Sequence, residues 1–351
     1  MRDTALIDQL EHWGPEAPPT PPMSEDEAWA YVRELTLGHY ENFSVLTRLV
    51  PPALRADFAA VYAFCRWSDD LGDETGTDAA ARERSLYLLA WWRNELNRCV
   101  ARAHATDEAP GVDPLRHPVM IMLAGTFRRR ATLSAHPFHD LISAFEQDQR
   151  VTRYDTWEQL LDYCSRSANP VGRIVLALGG VDVEAPEHAD LVRMSDATCT
   201  ALQLTNFWQD VRRDLLDRDR VYLPSAETGI TAEQLRAWID RPRDADARLA
   251  YINALRPLVE RTDALFTTGR PLPGELSRRG LGDLARVVWL FGSGGESVLR
   301  AVARIGCATL WKRPKLAKIN KLALVARAAT RRFPSPTRAT VAPVLTERHP
   351  A

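Results

Sequence analysis

Leu54, Phe58, Val61 and Cys65 recur at helical spacing behind Pro51-Pro52, a pair suited to a helix start. The other side of that helix is the constraint. At about 100° per residue, Tyr62, Arg66, Asp69 and Asp73 fall within roughly 60° of one another, with Asp70 beside them. A helix with one apolar face therefore ends in a row of carboxylates, in the stretch FCRWSDDLGDE from Phe64 to Glu74. Like charges at i,i+4 cost about 0.2–0.5 kcal/mol each. The negative end of the helix dipole adds to that cost. A solvated acidic helix end is the plain reading. The alternative is a divalent cation: Mg²⁺ takes carboxylate oxygens and completes its shell with water and substrate phosphate. Arg66, one turn upstream, is placed for a phosphate oxygen.

A second stripe changes the balance. In LQLTNFWQDVRRD (202–214), Gln203, Asn206, Asp210 and Asp214 share one helix face, and Leu204, Trp208, Val211 and Leu215 share another. Pairing with Arg212, Arg213, Arg218 or Arg220 would account for Asp214. It accounts less well for Asn206, because an amide buried among Leu, Phe and Trp needs a partner. If the two stripes face each other across a bundle, they offer more negative charge than one protein ion needs. That charge suits a diphosphate carried by several Mg²⁺ ions, with apolar helix walls around a greasy tail. The chemistry so implied is ionisation of an activated diphosphate, with the cation shielded from water. A di-iron bundle would need Glu-x-x-His pairs, and a phosphate loop GxxxxGK[ST]; the chain has neither.

The remainder reads as helix. Residues 25–332 form one all-helical domain, between a Pro-rich tail (1–24, with GPEAPPTPPM at 14–23) and a loose tail (333–351). TDEAPGVDPLRHP (106–118) is a loop, and NPVGRIVLALGGVD (169–182) is a buried helix stopped by Gly179-Gly180. A last helical region runs from about Leu281 to about Arg332. The Trp91-Trp92 pair and MSDATCT (194–200) read as core. Five scattered cysteines with no CxxC argue against disulfides and zinc. No signal pattern and no long apolar run are present, which sets the expectation of a cytoplasmic protein. Net charge of −1 gives no reason to expect nucleic acid.

On these motifs the chain resembles the squalene/phytoene synthase family of head-to-head prenyl transferases, from about His39 to about Leu316. VYAFCRWSDDLGDE is similar to the family's first aspartate motif and LQLTNFWQDVRRD…RVYLP to its second; YCSRSANPVGRIVL resembles its mid-chain helix. HYENFSVLTRLVPPALRADFAAVYAFCR, AFEQDQRVTRYDTWEQLLDYCSRSANPVGR and TNFWQDV resemble the hydroxysqualene-forming, hopanoid-pathway branch. The resemblance implies an all-α isoprenoid synthase bundle with a central apolar pocket. It implies Mg²⁺ on Asp69, Asp70, Asp73, Asn206, Asp210 and Asp214. Substrate contacts are implied for Arg66, Tyr62, Arg220, Tyr222 and Lys312 or its neighbour Arg313, with Gln209 in the same region. The implied reaction converts presqualene diphosphate to hydroxysqualene. The family's condensing reactions on farnesyl or geranylgeranyl diphosphate are the alternative.

Two departures bear on that choice. Gln209 stands where the family often has Arg, and Glu41-Asn42-Phe43-Ser44 lacks a Lys common in the family. Fewer cations suggest one diphosphate in place of two. No GxGxxG is present, which favours water over NADPH as the final reactant. Between Ser297 and Pro343 there is no acid, and eleven Arg and Lys run from Arg300 to Arg338. This is a solvated basic helix or a surface for the inner face of an anionic membrane. A sister synthase and a flavin reductase of the same pathway are the protein partners the resemblance suggests.

Overall fold

The computed structural model describes residues 6–18, 21, 23–38, 50–76, 78–105, 114–331 and 333. Its helices of seven or more residues are α1 (Glu25–Gly38), α2 (Arg55–Asp73), α3 (Ala79–His104), α4 (Pro118–Arg129), α5 (His136–Asp148), α6 (Trp157–Ser167) and α7 (Asn169–Leu178). They continue with α8 (Ala189–Asp217), α9 (Ala232–Ile239), α10 (Ala245–Gly269), α11 (Leu272–Arg278), α12 (Gly282–Arg304) and α13 (Lys318–Thr330). Among the described residues the β structure is one isolated bridge, Arg153 to Val221. Local chemistry sets the helix starts. Pro118, Pro137 and Pro170 sit in the first turns of α4, α5 and α7, where a missing N–H costs nothing. Asp78 caps α3, Asp244 caps α10, and Thr156 with Gln159 forms a capping box on α6.

Two apolar cores position the acid stripes. In the first, α2 packs against α1, α3 and α4. Phe64 and Trp67 stack on Trp92 with ring centroids 5.5 and 5.7 Å apart. Trp92 is fully buried there, as expected, and Trp91 partly so. In the second, Leu204, Trp208 and Leu215 of α8 pack with Tyr251, Leu255 and Phe266 of α10 and with Leu310. Trp208 Nε1 donates to Thr262 Oγ1 at 2.8 Å, so the ring is fixed at both ends. Neighbours approach α8 closely at glycines. A Cβ on Gly172 of α7 would strike Ser195 Oγ and Cys199 Sγ, and one on Gly269 of α10 would strike Thr198 Oγ1. The register of α8 is therefore fixed by contact on two sides.

Helix α7 forms as expected and stops at Gly179-Gly180, with Gly180 at φ +90°. Two segments differ from the sequence reading. Leu6–Gln9 and Leu10–Trp13 are helical, and Ile7, Leu10 and Trp13 pack on the first core instead of trailing as a tail. Trp13 meets Tyr31 and His117 edge to face. The last helical region is two helices, not one. The chain leaves α12 through Gly306 and Cys307, both left-handed at φ +66° and +60°, and runs as a connector to α13. Between α2 and α12 the half-buried side chains of Phe58, Tyr62 and Leu290 form an apolar wall around Val287. Among the described residues no helix is long and apolar enough to cross a membrane.

Candidate active site

The first stripe leaves α2 where its apolar face is used up by the core. Asp70 is nearly buried, with its side chain 3% exposed, and Arg66 NH2 holds its Oδ1 at 2.6 Å. The same guanidinium lies 3.5 Å from Asp69 and 3.4 Å from Glu74. Asp73, one turn on, is held by cations that are distant in sequence: Arg218 NH1 at 2.8 Å and Arg220 NH1 at 3.0 Å. Arg220 also lies 3.6 Å from Asp148 at the end of α5. Tyr163 of α6 donates to Asp148 Oδ2 at 2.9 Å.

The second stripe faces the same region from α8. Asp210 takes Arg213 NH2 at 2.9 Å and Arg313 NH2 at 3.1 Å, and Arg313 Nε bonds its other oxygen. Asp214 lies 3.8 Å from Arg213. Asn206 is exposed, so burial of its amide does not force a partner on it. Tyr222 stacks flat on Phe207 at 3.7 Å, inside an aromatic floor with Tyr154 and Tyr163. Tyr62 sits in the apolar wall with Phe58 and Leu290.

A cavity of about 340 Å³ opens beside the end of the first stripe, lined by Asp73, Asp148, Arg82, Arg213, Arg218 and Arg220. Its charge balance is tense. Burial pushes Asp70 up to about 7 against the pull of Arg66, with Glu74 and Asp69 adding to the rise. Burial pushes Asp148 up to about 7 against Arg220, and Asp214 up to about 6 against Arg213. Desolvation in the cleft and the neighbouring Asp73 raise Asp69 to about 6, although 42% of its side chain reaches solvent. Asp70 Oδ2 and Asp148 Oδ1 are buried with no hydrogen-bond partner. Such carboxylates ask for more positive charge than the chain supplies.

Several expectations need correction. Like-charge repulsion in both stripes is relieved by arginines, not left for a metal alone. Among the described residues no three acidic, His or Cys side chains are drawn together as a ready metal site. The donor set nonetheless suits Mg²⁺: hard carboxylate oxygens, an exposed amide and the partnerless Asp70 Oδ2. Gln209 brings no charge, and the cations present are Arg82, Arg213, Arg218 and Arg220 along the cavity with Arg66 and Arg313 on the stripes. Residues 41–44, the other departure read from the sequence, lie outside the described residues. Gln209 Nε2 donates to Pro314 O at 2.7 Å, so its amide is turned toward the segment after Trp311. Of the Lys312–Arg313 pair, Arg313 reaches the site and Lys312 is exposed. Asp148 was missed. Its only sequence signal is an acid at the end of a helix that otherwise buries Phe138, Leu141 and Ile142.

A family model described as squalene/phytoene synthase matches residues 37–320. The hydroxysqualene synthase of Sinorhizobium fredii is 31% identical over 239 residues, 67% of this chain and 71% of its own. The presqualene diphosphate synthase of Rhodopseudomonas palustris is 29% identical over 81% of this chain and 91% of its own. The crystal structure of the squalene synthase HpnC from Alicyclobacillus acidocaldarius is 39% identical, with a TM-score of 0.64 over 82% of this chain and 97% of its own.

Proposed function

The chain belongs to the squalene/phytoene synthase family, and from that premise we propose that it ionises presqualene diphosphate and captures the rearranged cation with water, giving hydroxysqualene. One observation carries the reading. Asp73, at the end of the first aspartate stripe, and Arg213, which pairs with Asp210 of the second, line one cavity with Asp148, Arg82, Arg218 and Arg220. The likeness to a hydroxysqualene synthase supports this product over the family's others.

Mg²⁺ is the proposed cofactor, held by Asp69, Asp70, Asp73, Asn206, Asp210 and Asp214; when bound it neutralises charge on the leaving diphosphate. The chain's own residues do the rest. Arg66, Arg218, Arg220 and Arg313 rest on aspartates and are within side-chain reach of phosphate oxygens in the same cleft. Phe58, Tyr62 and Leu290 keep water from the cation until it has rearranged. The bond from carbon to diphosphate breaks with its electron pair leaving on oxygen. Water then adds to the cation, and its surplus proton passes to the released diphosphate.

The condensing reaction is the second reading. Four arginines line the cleft, and Arg66 and Arg313 rest on aspartates of the two stripes, enough cation for two diphosphates, which favours it. Contact with an anionic membrane face is proposed for the basic stretch from Arg300 to Arg338, where Leu322 of α13 is 62% exposed. It is consistent with a cytoplasmic protein that releases a greasy product. A sister synthase and flavin reductase remain proposed partners.

The test offers presqualene diphosphate and farnesyl diphosphate separately to the purified protein with Mg²⁺, each with and without NADPH, with products identified by mass spectrometry. An alcohol from presqualene diphosphate without NADPH is the expected result. Presqualene diphosphate or a hydrocarbon made from farnesyl diphosphate would replace the reading with the condensing one. No metal-dependent turnover of either would remove both.

A further inference from the structure

We infer that Gln209 is a positioning residue: it clamps the connector between α12 and α13 so that Arg313 stands over the second aspartate stripe. The connector is anchored in the core as far as Trp311. Tyr251 and Thr309 hydroxyls bond at 2.7 Å, Trp311 Nε1 donates to Trp238 O at 2.8 Å, and Leu310 is fully buried. From Lys312 to Ala317 the chain has no regular secondary structure. Among the described residues its side-chain hydrogen bonds there all go to α8: Gln209 Nε2 to Pro314 O, and Arg313 to Asp210. These join residues 105 and 103 positions apart in sequence.

The two ties differ in kind. Arg313 has a side chain 43% exposed and pairs through two nitrogens with Asp210, 7% exposed, so this tie is ionic and lasts only while Asp210 has no other cation to hold. The Gln209 bond is half-buried, neutral and aimed at a backbone carbonyl, so it persists when Arg313 changes partners. Gln209 and Asp210 are consecutive on α8, and Pro314 and Arg313 are consecutive on the connector. The clamp thus sets Arg313 opposite Asp210 by one-residue geometry on each side. When a ligand takes Asp210, a clamped Arg313 remains beside the cleft as a ready cation for phosphate oxygens. Without the clamp the same arginine must be recovered from a loose segment, with the loss that follows from lower effective concentration.

This rests on the proposed diphosphate chemistry, and the experiment separates the two. Calorimetry with Mg²⁺ and inorganic diphosphate is run on the native chain, Gln209→Ala, Arg313→Ala and the double variant, alongside turnover of presqualene diphosphate. Gln209→Ala is expected to weaken diphosphate binding about five- to tenfold in the native background and less than about twofold in the Arg313→Ala background, because a positioning residue acts only through the group it positions. In turnover it raises KM more than it lowers kcat. Equal losses in both backgrounds, or no loss in the first, overturn the inference. Circular dichroism separates a folding defect, which would weaken both backgrounds alike. If the native chain binds diphosphate but does not turn over presqualene diphosphate, the functional reading falls while the calorimetry still decides the role of Gln209.

Discussion

Replacing Arg220 by Met keeps most of the stem volume and removes the cation between Asp73 and Asp148. The Arg220 side chain is 9% exposed and bonds Asp73 at 3.0 Å. Asp73 retains Arg218 at 2.8 Å, whereas Asp148, 3.6 Å from Arg220, keeps the Tyr163 hydroxyl and the weaker pull of Arg218. A buried charge stripped of its partner costs about 3–5 kcal/mol, but Asp148 has an escape, since it can take up a proton. Its folded pKa of about 7 lies above the usual carboxylate value. As pH rises, the unfolded chain therefore loses this proton first, and native stability declines from about pH 4 until Asp148 itself ionises. Arg220 limits that decline by pulling the folded pKa down. In Arg220→Met the folded pKa moves higher, and the slope of about 1.4 kcal/mol per pH unit continues beyond 7. The gap between variant and native chain should therefore widen by about 2 kcal/mol between pH ~7 and pH ~8.5. Urea unfolding without metal at three pH values measures it, and adding Asp148→Asn to the variant should abolish the widening. A gap that is the same at every pH, or that widens equally in the double variant, refutes the account.

Other outcomes follow from the same geometry. Asp69→Asn or Asp210→Asn should abolish Mg²⁺-dependent diphosphate release while leaving helix content intact by circular dichroism; unchanged turnover in either would remove that residue as a ligand. Mg²⁺ affinity should rise between about pH 5.5 and 7.5, because Asp69, Asp70 and Asp214, raised to about 6 to 7, must give up protons to bind it. A flat calorimetric profile across that range counts against those ligands. Asp57, 1% exposed, accepts from Arg129 and Arg130 at 2.7 Å and from Thr126 at 3.2 Å, tying α2 to α4. Asp57→Ala should cost about 3 kcal/mol in urea unfolding, the low end of the usual range because both arginines can turn to water. It should leave turnover per folded molecule unchanged, and loss of turnover in fully folded protein would contradict its purely structural role.

Spacing alone placed Asp69, Asp70, Asp73, Asp210 and Asp214 on two faces, because helical periodicity converts sequence distance into direction. The helical class, the stop at Gly179-Gly180 and the burial of Trp92 were legible for the same reason. The charge partners were not. Asp73 meets Arg220 across 147 residues and Asp210 meets Arg313 across 103, and nothing periodic links such pairs. Spacing showed Arg218 and Arg220 as local neighbours of Asp214, and the family resemblance implied a substrate contact for Arg220, whereas chain closure delivers both to Asp73. The break after α12 had a signal in Gly306, outweighed by the helical pattern on either side. Gln209 itself brings no charge, and the cations beside Asp210 come from Arg213 on the same helix and Arg313 on a distant segment.

The arginines that rest on the stripes have a consequence for the order of loading. A divalent cation arriving alone must compete with Arg66 for Asp70 and with Arg213 and Arg313 for Asp210. A diphosphate arriving alone must draw the same guanidiniums away from their carboxylates. Each ligand frees what the other requires, so their affinities are linked, and by reciprocity each strengthens the other by the same factor. On the proposed chemistry, the resting cleft would therefore discourage metal and anion singly and admit them as a pair.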